Sequence, residues 1–251
     1  MIFGAPYDAT TSNRPGARFA PAAMRQESYG LETYSPYQNK DLECDIKAYD
    51  AGDLELYGKP EAVLAVIEKT TSQILEDKKI PLMLGGEHLL TLGAVRAAVK
   101  KFPNLHIVHF DAHADLRDEY LGESLSHATV MRRCLDLVEA DKIYQFGIIS
   151  GTKEEFELSR TLGNLPIPHN VPIYLTLDLD VLDPSAMPGT GTPEAGGWTF
   201  LELLEELLGM KNLNIIGCDI VELAPNYDPS GISTATACKI LREILLIIGG
   251  K

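Results

Sequence analysis

The feature that most constrains the fold is an alternation sustained along the chain: short, almost wholly apolar runs, each followed by a longer amphipathic stretch. A run apolar at every position has both faces buried, which is the pattern of a parallel strand covered by helices on each side. The runs predict strands at 2–5, 46–48, 81–84, 106–110, 143–147, 173–177 and 213–218. The amphipathic stretches predict helices at 60–76, 89–101, 128–139, 152–162, 199–208 and 233–248. Strands alternating with helices give an α/β protein, and 251 residues suit one domain, here taken as 1–251. Two segments, 9–20 and 183–197, are rich in Gly, Pro, Ser and Thr and fit neither pattern. Long loops in a compact domain are usually functional, and in open α/β sheets ligands bind beyond the carboxyl ends of the strands.

At those ends the polar residues cluster. The run 106–110 continues into Asp111-Ala-His113-Ala-Asp115. In extended chain residues i, i+2 and i+4 point to one side, so Asp111, His113 and Asp115 can converge. The run 173–177 ends in Asp178-Leu-Asp180, and 81–84 ends in Gly85-Gly-Glu-His88. Any one of these acids could simply cap the next helix. Four carboxylates at neighbouring strand ends repel one another unless cations neutralise them, and two divalent ions match their four charges. The donors are oxygen with some imidazole and no thiolate, which suits manganese, with iron, cobalt or zinc as alternatives. Two metals sharing a carboxylate sit roughly 3.5 to 4 Å apart and lower the pKa of a bound water from 15.7 to about 7, which makes hydrolysis of a poor electrophile feasible.

Charge and composition narrow the partners. A net charge of −14 opposes binding to nucleic acid or anionic lipid and favours cationic ligands. No apolar stretch has the length of a signal peptide or membrane span, so a cytoplasmic protein is expected. Cys44, Cys134, Cys218 and Cys238 are widely spaced, and are expected to be reduced and mostly buried.

Seven segments together resemble the ureohydrolases, the family of arginase, agmatinase and formiminoglutamase: Arg14-Pro-Gly-Ala-Arg-Phe-Ala-Pro21, Gly85-Gly-Glu-His88, Asp111-Ala-His-Ala-Asp115, Ser126-His127, Asp178-Leu-Asp-Val-Leu-Asp-Pro184, Pro188-Gly-Thr-Gly-Thr-Pro193 and Asp219-Ile-Val-Glu-Leu-Ala-Pro225. The resemblance implies a three-layer α/β/α sandwich with a mostly parallel sheet of about eight strands. It also implies two Mn2+ per chain, one held by His88, Asp111, Asp115 and Asp178 and the other by Asp111, His113, Asp178 and Asp180. By the same resemblance Glu222 holds the guanidinium, His127 shuttles protons, and the assembly is a homotrimer or homohexamer. The residues alone support Glu222, a carboxylate beside the same sheet edge suited to a planar guanidinium. For His127 they leave a cap or a surface role open. The implied reaction is attack of a hydroxide held between the metals on a guanidinium carbon, releasing urea and an amine, with Asp115 and His127 moving protons. Glu87, Ala128 and Ile149 depart from the commoner family residues.

For the substrate, Asp118, Glu119 and Glu123 make the loop before His127 acidic, which suits a distal ammonium and points to agmatine, cleaved to putrescine and urea. A solvated charged loop is the plain alternative for these three. Aminopropylagmatine, arginine, guanidinobutyrate and formiminoglutamate are alternative substrates. A single-zinc deacetylase, which would have no need of Glu222, and a non-catalytic polyamine-binding relative are the readings outside the ureohydrolase class.

Overall fold

A computed structural model describes residues 1–249. The elements in chain order are β1 (Ile2–Ala5), α1 (Ala20–Ser28), β2 (Tyr34–Ser35), β3 (Lys40–Asp41), α2 (Leu42–Asp45), β4 (Asp50–Asp53), α3 (Pro60–Glu76), β5 (Leu82–Gly85), α4 (Thr91–Lys101), β6 (His106–Phe110), α5 (Val130–Cys134), β7 (Ile143–Phe146), α6 (Lys153–Ser159), β8 (Pro172–Asp178), α7 (Phe200–Gly209), β9 (Asn214–Val221) and α8 (Ile232–Gly249). Seven strands form one sheet in the order β4-β1-β5-β9-β8-β6-β7, and every pairing is parallel. β2 and β3 form a separate antiparallel pair.

Side chains along each strand alternate between two cores. On one face Leu82, Leu84, Val108, Phe110, Leu175 and Leu177 pack with Met24 of α1, Leu203 and Leu207 of α7, and Ile240 and Ile244 of α8. On the other, Met83, Ile107 and Tyr174 pack with Val63, Leu64 and Ile67 of α3, Val95 and Ala98 of α4, and Val130 of α5. The molecule is therefore the expected three-layer α/β/α sandwich. Its main sheet has seven strands where about eight were expected.

Two predicted elements depart most from expectation, and one helix was not predicted. The strand expected at 46–48 forms instead at Asp50–Asp53, on the sheet edge beside β1. Ile46, the apolar residue that suggested the earlier position, lies against Gly249 at the end of α8. An edge strand needs no apolar faces, and this one is held by ion pairs from Arg25 to Asp50 and Asp53. The helix expected at 128–139 shortens to Val130–Cys134, because the amides of Asp136 and Leu137 donate to carbonyls three residues back and wind the chain into turns. Helix α1, which no predicted element covered, begins within the Pro- and Ala-rich end of the 9–20 segment and buries Ala20, Pro21 and Met24.

The central four strands carry the predicted site. Phe110 is paired with Leu177, and Leu177 with Ile220, so Asp111 and Asp178 emerge side by side at one edge. Leu84 is also paired with Ile220, which brings the turn at Gly85-Gly86 level with Glu222. The Glu222 amide donates to the Gly86 carbonyl at 3.0 Å, and the Gly86 amide donates to Ala5 at 3.0 Å. A Cβ on Gly86 would lie 1.9 Å from the Tyr7 carbonyl oxygen, so only glycine lets the three chains meet here. Gly86→Ala is expected to cost about 3 kcal/mol or more of stability in urea denaturation and to weaken divalent-metal binding; unaltered values for both would contradict this account of the turn.

Candidate metal centre

Every predicted ligand reaches the same sheet edge. His88 opens a 3-10 turn one residue after the glycine pair, with Glu87 between them, and its ring is buried. Its Nδ1 lies 3.0 Å from an oxygen of Asp111 and 3.2 Å from oxygens of Asp115 and Asp178. That nitrogen nevertheless has no hydrogen-bond partner. A second group gathers around His113, whose Nδ1 is 2.9 Å from Asp180 and 3.4 Å from Asp111. The loop 111–115 is fixed by backbone bonds: His113 N donates to Asp111 Oδ1 at 2.6 Å, Ala112 N donates to Asp180 Oδ1 at 3.1 Å, and Asp180 N donates to Asp178 Oδ1 at 2.8 Å. Asp115 adopts a φ of 53°, which turns its carboxylate back toward the cluster.

A chain of hydrogen bonds beneath the cluster sets the His88 tautomer. Thr176 Oγ1 donates to Asp219 Oδ1 at 2.6 Å, and Tyr174 OH donates to Asp219 Oδ2 at 2.8 Å. With its proton committed to Asp219, the Thr176 oxygen accepts from His88 Nε2 at 3.0 Å. Nδ1 is thus the atom that faces the three carboxylates, which outweigh burial and hold the ring well above the usual imidazole range; a cation taking that proton's place would meet the bare Nδ1 lone pair. A buried, unpartnered imidazole nitrogen facing oxygens at these distances fits a divalent cation. The donor set fits one as well: two groups of side chains, centred on His88 and on His113, each converge closely enough to hold an ion.

The electrostatics agree. Burial pushes Asp178 well above the usual carboxylate range, and the neighbouring Asp180 and Asp111 charges add to it. Burial, followed by the Asp111 charge, raises Asp115 to about 7. Asp180 is raised for the same two reasons. Burial acts on Asp111 too, but hydrogen bonds from His109, His113 and His88 outweigh it and hold Asp111 alone well below its usual range, and His88 and His113 are raised in turn; divalent ions would take the place of those protons in offsetting the buried charge.

The cavity above the cluster has a volume of about 220 Å³ and is lined by His88, His113, Asp115, His127, Asp178, Asp180 and Glu222, and by Ser12, Arg117, Tyr120, Glu155, Thr192 and Glu194. Glu222 follows directly after β9 with a φ of 64°, and its Oε1 accepts from the His88 amide at 2.7 Å. Burial holds it well above the usual range. His127 opens a 3-10 turn after Ser126, and its Nδ1 lies 3.0 Å from the Thr10 carbonyl, which can only accept. Nδ1 therefore carries the proton, leaving Nε2 as a lone pair 3.3 Å from Ser12 Oγ. Burial lowers the His127 pKa to about 4, so the ring is neutral at pH 7.

The acidic loop is the correction. Asp118, Glu119 and Glu123 are exposed and do not line this cavity. Asp118 is paired with Arg133 and lies 3.6 Å from Arg132, while Glu123 exchanges backbone hydrogen bonds with Tyr120 and faces a neighbouring groove. Surface acids next to arginines pair with them, which composition alone does not reveal. The carboxylates at the cavity wall are Glu194, joined to Ser150 Oγ at 2.9 Å, and Glu155, which accepts from Leu116 N, Thr152 N and Arg117 Nε.

The match to known proteins is with the arginase family, over residues 1–167 and 165–247. The chain belongs to that family. It is 46% identical to an agmatinase of Bacillus anthracis over 98% of this chain and 90% of that protein. It is 36% identical to a guanidinobutyrase of Pseudomonas aeruginosa over 98% and 85%. Among solved structures, the agmatine ureohydrolase of Thermoplasma volcanium superposes with a TM-score of 0.89 at 34% identity, over 98% of this chain and 88% of that one. The arginase of Medicago truncatula does so with a TM-score of 0.88 at 28% identity, over 98% and 86%. A Clostridium difficile chain reaches 0.95 at 51% identity, over 99% and 96%. The chain thus has the fold of the arginase family and, at its sheet edge, a cluster of His and Asp side chains that could hold metal.

Sequence reasoning passed over His109, Thr176, Asp219 and Thr10. His109 and Thr176 lie within apolar runs, where a polar residue reads as part of a strand, and Asp219, quoted above only as part of a segment, follows directly on one. The signal shared by His109 and Thr176 was strand period: Asp111 follows His109 by two, and Asp178 follows Thr176 by two. Glu87, noted only as a departure, is wholly buried and accepts from Thr10 N and Thr10 Oγ1, both at 2.8 Å, and from Thr11 Oγ1 at 3.3 Å. Thr10 Oγ1 in turn accepts from the His127 amide at 3.2 Å, so Glu87 anchors the loop on which His127 rests.

Burial raises Glu87 from 4.5 to about 7. Below 4.5 it is protonated in both the folded and unfolded states and costs nothing. As pH climbs toward 7 the unfolded chain releases the proton first, and stability falls by about 3 kcal/mol. Glu87→Gln cannot ionise, so its stability relative to the unsubstituted, metal-free protein should rise by about that amount between pH 4.5 and 7.5 in urea denaturation. A pH-independent difference would contradict a buried, unpaired Glu87.

Proposed function

We propose that this chain hydrolyses the guanidinium of agmatine, giving putrescine and urea, with two manganese ions as cofactor. The observation that carries the reading is one cavity holding both a metal-ready cluster and Glu222, a buried carboxylate outside the cluster and suited to a planar cation. Identity to agmatinases across almost the whole chain supports it. His88, Asp111, Asp115 and Asp178 would hold one ion, and Asp111, His113, Asp178 and Asp180 the other. When bound, the pair supplies a nucleophile from water near neutral pH and stabilises charge on the tetrahedral carbon.

The side chains do the rest. Glu222 gives Oε1 to the His88 amide and keeps Oε2 for the guanidinium N–H groups. That bond fixes the carboxylate, so the guanidinium carbon is presented to the cluster in one orientation. Asp115, at the cluster edge, takes up the proton released from water. His127, neutral with its lone pair on Nε2, would take up that same proton once Asp115 releases it and pass it to the departing amine, which leaves Asp115 and His127 as they began. In place of the expected acidic loop, Glu194 lines the cavity wall with its half-exposed carboxylate 3.4 Å from His113 Nε2, and its charge is the one offered to a distal ammonium.

A second reading, a guanidino acid substrate, has one observation in its favour: Arg117 also lines the cavity. Glu155 accepts from its Nε at 3.3 Å, and its guanidinium lies 4.8 Å from the centre of the Tyr120 ring, so the cation is already partnered. This balance favours the amine. The reading also takes residues 1–251 as one catalytic domain, assembled as a homotrimer or homohexamer in the cytoplasm; no helix among the described residues is long and apolar enough to cross a membrane.

The test is urea release after manganese loading from agmatine, arginine, guanidinobutyrate and aminopropylagmatine. Agmatine should turn over best, and no urea from any of the four would overturn the reading. Glu222→Gln should lower kcat/KM for agmatine by about 100-fold, as loss of one member of a buried charge pair does. Glu194→Gln should raise KM for agmatine severalfold, and Asp118→Asn should leave it unchanged. The reverse order of the last two would restore the acidic loop as the ammonium site.

A further inference from the structure

His109 sits on β6 two residues before Asp111 and is fully buried on the α4 face of the sheet. Its Nε2 is 2.8 Å from Asp111 Oδ2, close enough to the cluster that the ring counts among the groups able to hold an ion. Its other nitrogen decides between ligand and support. Gln145, on the neighbouring strand β7, places its side-chain Nε2 2.8 Å from the Ala114 carbonyl and 3.0 Å from His109 Nδ1. Ser159 Oγ donates to Gln145 Oε1 at 2.8 Å. A carbonyl oxygen can only accept, so the Gln145 amide is oriented with its NH2 toward Ala114 and, necessarily, toward His109. His109 Nδ1 is then an acceptor, and the ring proton lies on Nε2, aimed at Asp111.

We infer that His109 and Gln145 are a positioning pair that fixes the carboxylate of Asp111 between the two metal positions, and that His109 is not itself a metal ligand. With His109 donating to Oδ2 and the His113 amide donating to Oδ1, each oxygen of Asp111 has one donor and keeps its remaining lone pairs for the cluster. Gln145 also pins Ala114, so the same amide holds the loop between His113 and Asp115. A carboxylate serving two ions must keep both oxygens in place, and a hydrogen bond to each does so before any ion arrives.

The inference rests on the two-metal reading, and the experiment separates their failures. Manganese affinity and stoichiometry are measured by chelator competition and by the electron paramagnetic resonance of the bound ions, for the unsubstituted protein, His109→Leu, His109→Gln and Gln145→Leu, with the metal-free melting temperature of each recorded. His109→Leu should keep two manganese ions per chain but bind them 10- to 100-fold more weakly, with Gln145→Leu about tenfold weaker and His109→Gln, which restores an N–H donor, recovering most of the loss. Unchanged affinity in His109→Leu overturns the inference. So does a fall to one ion per chain that His109→Gln fails to rescue, since that makes His109 a ligand. Gln145 is only half-buried and touches no proposed ligand except through its neighbours, so if His109→Leu does not fold, an unchanged affinity in Gln145→Leu overturns the inference instead. Absence of manganese from the unsubstituted protein would count against the two-metal reading itself.

Discussion

Four carboxylates buried at the ends of adjacent strands are the constraint on which the rest of the molecule depends. Asp111, Asp115, Asp178 and Asp180 are all nearly inaccessible to water, and three of them are pushed above their usual range by burial and by one another. A domain tolerates such a concentration of charge only if something positive is held there or if the protons stay on. The parallel pairing of β5, β9, β8 and β6 brings the acids together, and the two imidazoles of His88 and His113 complete the donor set. Everything nearby serves orientation: the Asp219–Thr176 chain turns His88, backbone amides hold Asp111 and Asp178, and the glycine turn brings Glu222 alongside.

The cavity adds a division of labour. Its floor is anionic and suited to ions, Glu222 is the carboxylate beside that floor, and His127 is kept neutral by burial on a loop anchored through Thr10 to Glu87. Glu87 carries the cost of that anchoring as an unpaired buried acid. Near the rim, Glu194 and the Arg117–Glu155 pair set the local charge balance, and the overall charge of −14 favours a cationic ligand.

Much of this was legible in the chain itself. Buried strands announce themselves as unbroken apolar runs, which is why β1 and β6 fall where the sequence puts them, and why the ligand pairs at i and i+2 could be read from their ends. The edge strand β4 was not legible, because an edge closed by Arg25 needs no apolar residues. Asp118 misled because sequence shows charge but not its partner; Arg133 is fifteen positions away along the chain and adjacent in space. His109, Thr176 and Asp219 were hidden for the opposite reason: each sits in an otherwise apolar strand, and its partner comes from another strand or from the chain just beyond it.

The proposed function requires a sheet edge that holds two metal ions, with Asp111 and Asp178 shared between them. Diffraction data collected on either side of the manganese absorption edge, from crystals grown with manganese, test it most directly. Two anomalous peaks per chain, roughly 3.5 to 4 Å apart, with His88 at one and His113 at the other, are the predicted result. A single peak, or an ion bound by His109 in place of His113, would contradict the account.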